Sequence, residues 1–102
     1  MRRIEELSVV IIPTPITARI MAFEGHRLIL SARLPSIPWH RRAVPTFLRA
    51  LGYWHPLPVR GVLVVDESGN SSATNLYPDW FQDFGGRGYA LEIVDRLPWV
   101  DR

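Results

Sequence analysis

The 102-residue chain contains no cysteine, which excludes a disulfide framework and any thiolate metal site. Lysine is absent as well, so all 12 strongly basic side chains are arginine. Little then titrates between the three histidines and the three tyrosines, and a net charge of only +2 carries the pI to about 9.7. A high pI of that origin is poor evidence for a nucleic-acid partner. No apolar run is longer than Val9 to Ile12, too short for a signal-peptide core or a membrane span. The expected location is therefore cytoplasmic, with no membrane partner. Internal repeats, low-complexity tracts and linkers are also missing, and the nine prolines are scattered as turn punctuation.

What remains is ordinary for a folded domain: 47% apolar and 22% charged residues, enough for one core and no second. We expect a single domain over residues 1–102. Charge is unevenly spread, with nine arginines and three glutamates in residues 1–60 against three arginines and seven acids in residues 61–102, or about +6 and −4. The two halves can neutralise each other within one fold or across a dimer, or present a basic face to an acidic partner.

Leu7 to Ile12 is apolar and β-branched and stops at Pro13, as a buried strand does. Ile16, Ala18, Ile20 and Ala22 alternate with other residues, as do Leu28, Leu30 and Ala32, which predicts two strands around Gly25. A three-residue loop, Phe23 to Gly25, would set Ile20 opposite Leu28 and Ala18 opposite Leu30. Val44, Phe47, Leu48 and Leu51 share one helix face, with Pro45 in the first turn and Gly52 as the C-terminal cap. Gly61 to Val65 predicts another buried strand. The turn formers Asp66 to Asn70 then lead to a strand at Ala73 to Tyr77, making a second hairpin. Tyr89 to Leu97 fits either periodicity, and the stripe Ala90, Ile93, Val94 and Leu97 favours a helix. These elements predict an α+β fold, an antiparallel sheet of about five strands with one or two short helices packed on one face.

Three constellations are candidates for function. Tyr77, Trp80, Phe81 and Phe84 lie in one short stretch beside two aspartates, and aromatic density of this kind suits an interface. Trp39, His40, Arg41 and Arg42, followed by Arg49, Trp54, His55 and Arg60, supply the guanidinium groups and rings that a single-stranded nucleic acid or a pocketed ligand uses. The same tryptophans can instead cap the core where a helix meets the sheet. Gly85, Gly86, Arg87 and Gly88 form a candidate anion loop of backbone amides.

No other pattern reaches a template. His26, His40 and His55 show no paired ligand spacing, so no metal or cofactor is expected. Asp66, Ser68 and Asn70 begin like a calcium loop but place Tyr77 where the bidentate glutamate belongs. No nucleophile elbow appears, so no catalytic residue is assigned and an enzyme is the less favoured expectation. The reading is a small non-catalytic interaction or regulatory module acting as a homodimer. A nucleic-acid-binding module with an Arg/Trp surface is the first alternative, and a small-molecule-binding protein or small enzyme with a Trp/His-lined pocket is the second.

Overall fold

The computed structural model describes residues 6–14, 16–66 and 76–95. Within them Leu7–Pro13 forms β1, Thr17–Glu24 β2 and Arg27–Pro35 β3. A 3-10 turn at Pro38–His40 leads into α1, Ala43–Trp54, followed by β4, Val59–Val65, α2, Tyr77–Gly86, and β5, Ala90–Val94. The strands make one sheet in the order β3-β2-β1-β4-β5.

β1 is central because it is apolar on both sides. Val9 and Ile11 point to the helices while Val10 is buried on the other face. The hairpin β2–β3 extends it antiparallel on one flank, and β4 and β5 extend it parallel on the other. The class is α+β, as expected, but the sheet is mixed and not purely antiparallel. Parallel neighbours need crossovers, and α1 and α2 provide them. Both helices pack on one face, where Val44, Leu48 and Leu51 of α1 and Trp80 and Phe84 of α2 join Val9, Ile11, Ala18, Ile20, Ala22, Val62 and Val64.

Several local expectations need correcting. The β2–β3 loop is Gly25-His26, with Glu24 opposite Arg27 and Gly25 at φ 66°. Ile20 faces Ala32 and Ala18 faces Leu34, not Leu28 and Leu30. A bulge between Ala22 and Phe23 shifts the pairing by one residue, which restores apolar side chains to the helix-facing side despite an even loop. Gly52 lies inside α1, whose C-terminal cap is His55. Residues 90–94 are a strand, because β5 pairs with β4 and that pairing overrides the helical stripe. Of the second hairpin expected over Gly61 to Tyr77, the first strand is β4, residues 67–75 lie outside the described residues, and Tyr77 begins α2. None of the described helices is long and apolar enough to cross a membrane.

Candidate functional site

α1 runs from the end of β3 back to the start of β4, so its two ends lie at opposite ends of the sheet. Its inner stripe is buried, and its outer stripe carries Arg42, Thr46, Arg49 and Tyr53 at intervals of four, three and four residues. Exposed aromatics stand at both ends: Trp39 is 75% accessible in the preceding 3-10 turn, and Tyr53 and Trp54 are 84% and 77% accessible at the last turn. The 12-residue helix separates them by about 18 Å. The tryptophans therefore do not cap the core.

Beside α1 runs an open groove of about 690 Å³, which includes Leu34, Trp39, His40, Arg42, Phe47 and Ala50. Arg41 approaches Asp79 of α2 at 3.7 Å, an exposed pair of little strength. Arg42 and Arg49 form no ion pair among the described residues. The cations at the start of α1 are locally unfavourable. Arg42 occupies the N-cap with no side-chain cap, and no acid sits in the first turn, where the helix dipole favours negative charge.

The other residues of that sequence cluster sit elsewhere. Trp54, His55 and Arg60 lie at the far end of α1 and the start of β4. Arg60 is engaged with Glu6 at 3.4 Å, and His55 Nδ1 accepts a hydrogen bond from the Leu57 amide at 3.1 Å. His40 and His55 are thus held apart, and among the described residues no three His, Asp or Glu side chains are grouped to hold a metal ion. Thr46 and the four-three-four spacing that joins it to Arg42, Arg49 and Tyr53 are not among the features read from the sequence, although that spacing is legible there.

The aromatic stretch takes a different role from the interface expected of it. Tyr77, Trp80, Phe81 and Phe84 fall on the inner side of α2. Trp80 and Phe84 have no accessible surface, so neither can anchor a partner without opening the core. Tyr77 and Phe81 stack with ring centroids 5.3 Å apart and are half-buried against the same cluster. Burial first, and then the nearby Asp66 carboxylate, raises the Tyr77 phenol pKa above its ordinary value.

The glycine loop is also reassigned. Gly85 and Gly86 end α2, Arg87 is its C-cap, and Gly88 at φ 79° follows. The Gly88 amide donates to the Gly85 carbonyl and the Tyr89 amide to that of Phe84, with the Tyr89 and Phe84 rings 5.8 Å apart. This is a Schellman motif, whose amides are consumed within the chain at the negative end of the helix dipole. Arg87 is engaged with Asp83 through two contacts of 2.9 and 3.4 Å. An anion has no cradle there.

Compared with known proteins, the chain matches no family model, and no curated protein matches it.

Proposed function

We propose that this chain is an interaction module rather than an enzyme, and that the outer face of α1 with its flanking groove takes a single strand of nucleic acid. The observation that carries the reading is the exposure of Trp39, Tyr53 and Trp54 around Arg42 and Arg49, which have no ion-pair partner among the described residues. Stacked rings and guanidinium groups are the two elements that single-strand binding combines. Arg42 at the N-cap of α1, the wrong end of the helix dipole for a cation, adds support, because a local conflict in a folded chain points to a role beyond folding.

The test is fluorescence anisotropy with a labelled single-stranded oligonucleotide of about 12 nucleotides, a length that covers one such site. With about three phosphates neutralised, affinity should fall about twentyfold between about 50 and 200 mM salt. Trp39→Ala and Trp54→Ala should each weaken binding about tenfold, the effect of losing one stacked base. Glu92→Gln, on the sheet face away from the helices, should leave it within about twofold, as a distant surface charge does. Binding that ignores salt, or that survives loss of both tryptophans, overturns the reading.

A further inference from the structure

β3 lies at one edge of the sheet, and one side of its backbone has no neighbouring strand among the described residues. The Ser36 amide donates to the Ile16 carbonyl at 3.0 Å, in step with the pairs Ala18–Leu34 and Ile20–Ala32. Antiparallel alternation therefore turns the backbone groups of Leu34 and Ala32 toward β2 and those of Arg33 and Ser31 outward. Arg33 and Ser31 are also the exposed residues of this stretch, with Ala32 and Leu34 half-buried beside them. Outward N–H and C=O groups on an exposed edge are a template for another strand.

The two sides of that edge differ in chemistry. On the helix side, Leu34 of β3 and Phe47 and Ala50 of α1 line the groove of about 690 Å³, so a strand added to β3 would lay alternate side chains along an apolar wall. On the other side Arg33 stands directly opposite Arg19, an unfavourable like-charge pair. Neither arginine has an ion pair among the described residues. That charge selects the occupant. A second copy laid on the same edge would gather the arginines of both chains on one face, whereas a carboxylate there relieves the repulsion already present.

We propose that β3 takes an extended acidic segment of a partner protein as a further, antiparallel strand of the sheet. Residues of that segment opposite Arg33 and Ser31 exchange backbone hydrogen bonds with them and share their face, so these positions are acidic. The residues between them turn toward the groove and are apolar. The partner's signature is thus an alternation of acidic and apolar residues. The groove is common to this site and the nucleic-acid site, but strand pairing needs neither stacked rings nor phosphate, so the two readings stand or fall separately.

The probe is a fluorescein-labelled peptide of about eight residues in which glutamate and valine alternate, long enough to cover the edge. Fluorescence anisotropy at about 50 mM salt should show saturable binding below about 500 μM, the range of a small interface. N-methylation of the glutamates blocks the amides that face β3 and should weaken binding about tenfold or more. N-methylation of the valines, whose amides face solvent, should change it less than about twofold. The two methylated peptides have the same composition and charge, so the comparison separates strand pairing from mere attraction to arginine. Ser31→Pro removes an outward donor and no bond to β2, so it should fold and bind about tenfold more weakly. Arg33→Glu should weaken binding by about the same factor, and a peptide alternating lysine and valine should not bind. Circular dichroism checks that both variants are folded. No saturable binding by the wild type overturns the proposal, as does equal binding of the two methylated peptides or undiminished binding by Arg33→Glu. A wild type that sediments as a dimer and excludes the peptide also overturns it, by giving the edge to a second copy. Trp54→Ala, at the far end of α1, should leave peptide binding unchanged whatever it does to the oligonucleotide.

Discussion

Trp39 and Trp80 carry the same side chain to opposite fates. Trp80 sits on α2 at helical spacing with Tyr77 and Phe84 and is sealed against the sheet, whereas Trp39 stands in a 3-10 turn that gives it nothing to pack on. Burial has a titration consequence at Tyr77. Its phenol keeps its proton in the folded chain above the ordinary value of 10.0, while the unfolded chain releases it there. The stabilisation is thus complete below about pH 10 and is lost as pH rises beyond it. Burial acts in the same direction on Tyr89. Thermal melts of Tyr77→Phe should match wild type in slope between about pH 7 and 9 and fall less steeply above about pH 10. Equal alkaline slopes for the two proteins would count against this account.

At the scale of the element, the end of α2 separates glycines that only look alike. Gly88 holds a left-handed φ of 79° that a Cβ disfavours, so Gly88→Ala should cost about 1–2 kcal/mol. Gly85 and Gly86 are helical with open space where a Cβ would go, so alanine at either should stabilise by about 0.5–1 kcal/mol. Urea unfolding of the three variants reads the sign directly, and a stabilising Gly88→Ala would remove the Schellman assignment. α1 shows the complementary case. Its first turn has no cap and no acid, and it is held by Val44, Leu48 and Leu51 against the sheet. The arginine at its start adds nothing to helix stability.

For the molecule as a whole, the helix-facing core draws on β1, β2, β4, α1 and α2 at once. Residues distant in sequence share one cluster, so no element keeps its burial when another leaves. Thermal unfolding should then be a single transition. Far-ultraviolet circular dichroism and the fluorescence of buried Trp80 should give the same midpoint, with an enthalpy of about 70 kcal/mol for a chain of this size. Separate midpoints would mean that the β2–β3 hairpin or α2 opens on its own.

Residue periodicity by itself determined the strands at β1, β2, β3 and β4, the inner face of α1 and the α+β class, because each of those segments buries a side whose spacing is visible along the chain. It did not determine the direction of β4 and β5, since a parallel neighbour depends on where a crossover helix delivers the strand. Nor did it decide between helix and strand at residues 90–94, where five residues fit both periods and pairing with β4 settled the matter. The hairpin register escaped a parity argument because a bulge adds a residue that no local pattern shows. Most of the candidate site was legible as residue types. Which of those residues stay exposed was not: both clusters carry a tryptophan beside charged residues, and only the tertiary structure decided that Trp80 fills the core and Trp39 meets solvent, because burial belongs to the surface a residue is packed against.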